Sequence, residues 1–280
     1  MNPTDTSTNA IAGAIAGARR IVAVASGKGG VGKSTTAVNL ALALQGAGQK
    51  IGILDADIYG PSLPTMLGIS DRPQVQAGNR LVPLQAHGLQ VMSIGLLTTA
   101  ATPMVWRGPM ASSALTQILT QTLWQGLDIL LVDLPPGTGD IPLTLAQKAA
   151  VDGAIIVTTP QEIALLDAVK GIEMFRKVAV PVLGLVENMA VHRCPQCGYA
   201  EPIFGQGGAA RVAEQYAVPV LGSLPIDSRI RADLDAGTPT PISDPSGELT
   251  AAYGQIATAC RQRLDEITAA QPDTPEIVID

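Results

Sequence analysis

The stretch that most limits what this chain can fold into runs from Ile21 to Thr36. It opens Ile-Val-Ala-Val-Ala-Ser, an apolar run without alternation, as expected of a strand buried on both faces of a parallel sheet. It continues Gly27-Lys28-Gly29-Gly30-Val31-Gly32-Lys33-Ser34-Thr35, and beyond Ser34 the residues Val38, Leu40, Ala41, Leu42 and Leu44 predict a helix. Strand, Gly-x-x-x-x-Gly-Lys-Ser loop and helix make the P-loop pattern. Its glycines let backbone N–H groups turn toward phosphates, Lys33 reaches the terminal phosphates, and the Ser34 hydroxyl ligates Mg2+. The helix N-terminus adds about half a positive charge beneath them.

The same residues, Gly27-x-Gly29-x-x-Gly32, also fit a dinucleotide fingerprint, with Asp55 near the distance of a ribose-binding acid. Two features argue against that. Lys33 and Ser34 put a charge and a hydroxyl where a dinucleotide fold wants close helix packing. Asp55 also opens Asp55-Ala56-Asp57, which suits metal and water chemistry better.

A chain of 280 residues with 46% hydrophobic content can bury a large core in one domain. Aromatic residues are only 3%, so Ala, Val, Ile and Leu must build it, which suits a sheet between helices. Further strand-like runs lie at 51–54, 89–94, 129–132, 154–157, 182–186 and 220–224. Helical patterns lie at 110–125, 141–150, 162–177, 207–216 and 246–268. The alternation predicts an α/β fold with a mostly parallel central sheet flanked by helices. Residues 72–88 read as a loop or small hairpin, and Thr238-Pro239-Thr240-Pro241 as a connector. The expected organisation is a flexible arm over 1–19, an ATPase domain over 20–269 with a cysteine loop near 189–205, and a disordered acidic tail over 270–280.

A net charge of -6 gives no general attraction for nucleic acid or anionic lipid, so neither is an expected partner. No apolar run approaches the roughly 18 residues of a membrane span, and Arg19 and Arg20 follow the mildly apolar 11–16 stretch instead of preceding it, so no signal peptide is expected. Three cysteines, two of them in one Cys-x-x-Cys, make a poor disulfide framework and fit a reducing cytoplasm.

Chemistry gathers at the ends of the expected strands, where an open parallel sheet binds ligands. Asp133, directly after the apolar 129–132 run, suits a Walker B acid that holds Mg2+, and Gly137 and Gly139 follow as a loop able to move when the terminal phosphate leaves. Asp57 is the candidate for orienting or activating the attacking water and, with Ser34 and Asp133, for holding Mg2+; a lone acid pair in a turn would otherwise read as a solvated turn or helix cap. Cys194-Pro195-Gln196-Cys197-Gly198 suits one edge of a tetrahedral thiolate site for zinc or an iron-sulfur cluster. A closed four-thiolate site needs a second subunit, and a homodimer would supply the pair twice, enough for one [4Fe-4S] cluster on the two-fold axis. A thioredoxin-like redox pair and an incomplete zinc knuckle are the alternatives. Cys260, among Ile256, Ala259 and Leu264, reads as core. No Asn/Thr-Lys-x-Asp guanine-reading motif occurs, which favours adenine.

With these residues together, the chain resembles the Mrp/ApbC iron-sulfur cluster carrier ATPases, within the MinD-like group of P-loop proteins with a deviant Walker A. The resemblance covers about residues 20–265. It rests on the phosphate loop, on 55–62 (Asp-Ala-Asp-Ile-Tyr-Gly-Pro-Ser), Trp106-Arg107-Gly108-Pro109-Met110 and 133–140 (Asp-Leu-Pro-Pro-Gly-Thr-Gly-Asp). It also rests on Glu187-Asn188-Met189, Cys194 with Cys197, 204–208 (Phe-Gly-Gln-Gly-Gly) and Leu224-Pro225-Ile226-Asp227. The resemblance implies that Lys28 reaches across a dimer to the partner's nucleotide. It implies that Asn188 contacts the adenine, and that Cys194 and Cys197 bind a bridging cluster received from assembly machinery and passed to apo iron-sulfur proteins. Rival functions are a MinD- or ParA-like positioning ATPase, which has no need of the cysteine pair, and a zinc-bridged structural dimer, which has no need of hydrolytic acids. A nitrogenase-type reductase would space its two cysteines far apart.

Overall fold

The computed structural model describes residues 15–97, 108–139, 142–143 and 149–270, with 108–112 described by backbone alone. The strands are β1 (Ala18–Ala25), β2 (Ile51–Asp55), β3 (Val75–Gln76), β4 (Arg80–Leu81), β5 (Leu84–Ala86), β6 (Leu89–Ser93), β7 (Leu127–Asp133), β8 (Gly153–Thr158), β9 (Val182–Glu187), β10 (His192–Arg193), β11 (Ala200–Glu201) and β12 (Val220–Ser223). The helices among the described residues are α1 (Lys33–Gly46), α2 (Leu63–Met66), α3 (Gly108–Gln121), α4 (Glu162–Lys177), α5 (Gly208–Tyr216), α6 (Ser228–Asp235), α7 (Thr240–Ser243) and α8 (Glu248–Ala270).

Eight strands form one sheet in the order β12-β9-β8-β1-β7-β2-β6-β5. Every neighbour is parallel except the edge strand β5, antiparallel on β6. The apolar runs of the sequence are therefore strands covered on both faces. Successive residues alternate between two cores: Ile21, Ala23, Leu130 and Val132 face one, and Val22, Val24, Ile129 and Leu131 face the other. The first core is closed by α3, α4 and α5 through Leu115, Ile118, Leu165, Ile172, Phe175 and Val212. The second is closed by α1, α6 and α8 through Val38, Leu40, Leu234, Tyr253, Ile256 and Leu264. Cys260 is fully buried in that second core, as its neighbours predicted.

The chain leaves β1 toward β2 and β6, returns to place β7 between β1 and β2, then crosses to β8 on the other side. That reversal puts the carboxyl ends of β1, β7 and β2 side by side, with Asp55 paired to Asp133 in register, the switch-point geometry at which open sheets bind ligands.

Several expectations are adjusted. The 72–88 segment does contain a hairpin, β3 on β4, but it also contributes β5 to the main sheet. Strand β1 begins inside the expected 1–19 arm, because Ile15 and Ile21 are both in the core. Helix α6 was not foreseen; it presents Ile230 and Leu234 to the core from a short segment crowded with charge. The connector at 238–241 runs into α7. Residues 1–14, the tail 271–280, Trp106, Arg107, Asp140 and most of the helix expected at 141–150 lie outside the described residues. No helix among the described residues is long and apolar enough to cross a membrane.

Two-sided burial gives a direct test. Leu130 and Leu131 are adjacent, face opposite cores and are both fully buried. Leu130→Ala and Leu131→Ala should each lose about 2–5 kcal/mol in urea unfolding. A sheet wetted on one face would spare one of them.

Candidate nucleotide and thiolate site

The phosphate loop joins β1 to α1 with Gly30 and Gly32 in left-handed conformations, φ +80° and +83°. Gly32 stands at the start of α1, whose first turn has no side-chain cap and no acidic residue. Its free N–H groups and dipole are left for an anion. Gly27 has a packing reason as well as its place in the motif. A Cβ there would lie 2.1 Å from the Asp167 carbonyl oxygen of α4, so glycine allows the loop to pass the helix backbone.

Lys33 is buried, and its ammonium donates to Asp133 Oδ1 at 2.6 Å and to Ser34 Oγ at 3.1 Å, with Asp57 Oδ2 at 3.8 Å. Ser34 Oγ donates to Asp133 Oδ2 at 2.6 Å. Lys33, Ser34, Asp57 and Asp133, singled out from the sequence, are thus brought to one point. Burial pushes the Asp133 carboxyl above the ordinary range, opposed by the Lys33 ammonium. Among the described residues no cluster of three or more His, Cys, Asp or Glu side chains could hold a metal. Magnesium held with nucleotide phosphates needs only one or two protein carboxylates, and the hard oxygens of Ser34 and Asp133 fit that requirement.

Asp55 does something other than the metal and water chemistry expected of it. It is fully buried; its Oδ1 accepts from Asp57 N at 3.1 Å, and its Oδ2 from Ser62 N at 3.1 Å, Leu63 N at 3.2 Å and Ser93 Oγ at 3.0 Å. The carboxylate is the post around which the 57–63 loop is wound, and so it sets where Asp57 points. Burial, then the neighbouring Asp133 charge, push its carboxyl up to about 7. Tyr59, on the same loop, is 64% exposed.

Lys28 is half-buried and makes no ion pair with any described residue. Asn188 is buried, and its side-chain amide donates to the Val31 carbonyl of the phosphate loop at 2.8 Å. That leaves one amide hydrogen and the carbonyl oxygen for another partner. Glu187 beside it accepts from Ala209 N at 3.0 Å at the start of α5, which accounts for the neighbouring 204–208 glycine run as a helix entry. Asp227 caps α6 by accepting from Arg229 N at 2.8 Å and also grips the Arg229 guanidinium, whose Nη2 lies 2.6 Å from Oδ2. That hydrogen bond holds the Asp227 carboxyl below its usual range.

The cysteine pair forms the tip of the β10–β11 hairpin. Cys194 N donates to Tyr199 O, and Gly198 N to Cys194 O, both at 2.9 Å. Cys197 is exposed and Cys194 half-buried. The backbone N–H groups of Cys197 and Gln196 pull the Cys194 thiol below its ordinary range, as suits a metal-binding thiolate. A cavity of about 1230 Å³ runs from Gly32 and Thr35 of the phosphate loop past Asn188 and Pro225 to Cys194 and Gly198. The two sites therefore open on one space.

The family described as ParA, NUBPL iron-transfer P-loop NTPase, matches residues 17–261, which takes in every element from the phosphate loop to the cysteine hairpin. The chain belongs to this family. An iron-sulfur cluster carrier protein of Escherichia coli K12 is 62% identical over 244 residues, covering 87% of this chain and 66% of that protein. The chain thus spans just under two thirds of that relative's length. A nucleotide-binding protein of Archaeoglobus fulgidus, solved in complex with ADP, is 38% identical and superposes with a TM-score of 0.73 over 84% of this chain and 92% of that one. The cell-division ATPase MinD of Pyrococcus furiosus, 22% identical over 87% of this chain and 98% of its own, shares the fold with a TM-score of 0.63. The family fold is thus the α/β sheet expected from the strand pattern.

The glycines separate packing from ligand binding. Gly27→Ala must displace the α4 backbone and should cost about 1–3 kcal/mol in thermal or urea unfolding. At Gly29 an added Cβ meets only Pro136 Cγ, at 3.9 Å, and Gly29→Ala should unfold as the wild type does. Equal stabilities for the two variants would contradict the packing described.

Proposed function

We infer that the protein is an ATP-hydrolysing carrier that holds an iron-sulfur cluster between two copies of itself and hands it to apo iron-sulfur proteins. The observation that carries the reading is the shared cavity: Gly32 and Thr35 of the phosphate loop and Cys194 of the thiolate hairpin line one space. Membership of an iron-transfer NTPase family, and an iron-sulfur carrier name on a 62% identical relative, support it.

The chain's residues divide the work. The uncapped N–H groups of α1, with the loop backbone of Gly27, Gly29, Gly30, Val31 and Gly32, cradle the phosphates, and Thr35 lines the way toward the base. Lys33 is the cation for the terminal phosphate, and its present partners Asp133 and Asp57 keep it poised there. Ser34 and Asp133, with Asp57 nearby, would hold magnesium, which neutralises charge on the phosphate oxygens. Asp57, aimed by Asp55, orients the water that attacks the terminal phosphate to give ADP and phosphate. Lys28, without an ion pair to a described residue, reaches the partner copy's nucleotide. Asn188 meets the adenine with the amide hydrogen and carbonyl that Val31 leaves free.

Cys194 and Cys197 give two thiolates, and the same pair on a second copy completes four for a [4Fe-4S] cargo. Exposed Tyr199 and Ile203 beside the hairpin, and Ile163 and Leu166 on α4, supply apolar surface for such a homodimer. Assembly machinery loads the cluster, and the reducing cytoplasm suits the thiolates. The cysteine pair sets this reading apart from a MinD- or ParA-like positioning role.

The test measures turnover and iron separately. Lys33→Ala should lose ATP hydrolysis at least about a hundredfold while keeping its iron and sulfide after anaerobic reconstitution. Cys194→Ala and Cys197→Ala should lose the iron and keep nucleotide binding. Zinc in place of iron and sulfide in the reconstituted wild type, or near wild-type hydrolysis by Lys33→Ala, would overturn it.

A further inference from the structure

Between the phosphate loop and the thiolates runs a short strap, 188–194, fastened at three points. At its start the Asn188 amide holds the Val31 carbonyl. In its middle Ala190 N donates to Leu224 O at 2.9 Å, and Ile226 N to Val191 O at 2.8 Å. At its end Cys194 begins the turn that carries both sulfurs. Met189, directly after Asn188, sits at φ +57°, left-handed backbone that is unfavourable for a side-chain-bearing residue. Strain at that link persists only because the hydrogen bonds on either side hold it.

Two features make the first fastening specific. Gly32 follows Val31, and a Cβ on Gly32 would lie 2.1 Å from Asn188 Nδ2, so the amide is seated against the loop with no slack. Asn188 N also donates to Thr158 O at 2.8 Å, which anchors the backbone of Asn188 to β8 while its side chain follows the loop. Any turn of the Val31 peptide that accompanies phosphate binding must carry the Asn188 amide with it or break a buried hydrogen bond.

We propose that Asn188 is the positioning residue through which phosphate occupancy of the loop is transmitted to the Cys194–Cys197 turn, and that the signal comes from the phosphates and not from the base. The inference rests on the nucleotide reading above and deepens it. A competing path runs through the base: Pro225, Ile226 and Asp227 line the cavity and Ile226 N is hydrogen-bonded to Val191 O, so a base in the cavity could also press on the strap. The two paths differ in what they require of the ligand. The Asn188 path needs only phosphates on the loop, and the other needs a nucleoside.

The probes are therefore Mg-ATP and magnesium tripolyphosphate, which has the phosphates and no base. The readout is the rate at which iodoacetamide alkylates Cys194 in the metal-free protein at one fixed pH, read by peptide mass and taken at saturation as established by calorimetry. In the wild type both ligands should change that rate about fivefold or more, the lower end of common couplings between sites. In Asn188→Ala and in the near-isosteric Asn188→Asp, which puts an acceptor opposite the Val31 carbonyl, the change should fall below about twofold with ligand still saturating. Asn188→Asp keeps the shape of the side chain but buries a carboxylate against a carbonyl, so Asn188→Leu, of similar size and without charge or donor, is read in its place if either variant fails to fold. An unaltered wild-type rate overturns the proposal, as does a full response in Asn188→Asp. A response to ATP and none to bound tripolyphosphate assigns the signal to the base path and overturns it as well. Absence of ATP binding in calorimetry would instead bring down the nucleotide reading itself, and the inference with it, whereas ATP binding without any tripolyphosphate binding would show that phosphates alone cannot set the signal and would overturn the inference only.

Discussion

One buried ammonium organises this protein. Lys33 lies 2.6 Å from Asp133 and 3.8 Å from Asp57 at the carboxyl end of a sheet that holds a further acid, Asp55, in register with Asp133. Carboxylates crowded into so little water repel one another and resist ionisation, and a single lysine offsets only part of that. The arrangement has more negative charge than its own cation balances, and it faces a helix start that wants an anion. A magnesium ion and a phosphate chain together answer both demands. The topology serves this point: only a chain that brings β7 back between β1 and β2 sets these side chains side by side.

Around that centre the residues act through loops instead of through contact with ligand. Asp55 is wound into the 57–63 loop and Glu187 into the entry of α5. Asp227 caps α6 and holds Arg229 at the rim of the cavity. Each is an acid at or near the end of a strand, and each accepts at least one backbone N–H, among the stronger hydrogen bonds a protein can make. The site is stiff where phosphate chemistry needs aim, and it is tied by single hydrogen bonds where the two sites meet.

Much of this was legible in the sequence because two periodicities are clear in it. Uninterrupted apolar runs such as Leu130-Leu131-Val132 can only be strands covered twice, and the loop glycines with Lys33 and Ser34 mark one ligand chemistry. What stayed hidden had no pattern to carry it. Helix α6 reads Ser-Arg-Ile-Arg-Ala-Asp-Leu-Asp, whose two buried residues are too few to set a period against so much charge. The edge strand β5 is three residues long, below the reach of any alternation. Gly27 belongs to the phosphate motif, and its further, packing reason shows only in the passage of α4. The Asn188–Val31 bond spans 157 positions in the chain, a separation at which local sequence is silent.

The thiolates hang on a segment unlike the rest. From Val191 to Gly207 no residue is buried, and the strands that shape the hairpin are two residues each. The heat-capacity step on unfolding comes mainly from apolar surface newly wetted. A hairpin with almost none to expose would add next to nothing to it. It could open and close with almost no change in heat capacity, while the sheet beneath it stayed whole. A ligand bound at its tip could therefore come and go without unpacking the sheet beneath it.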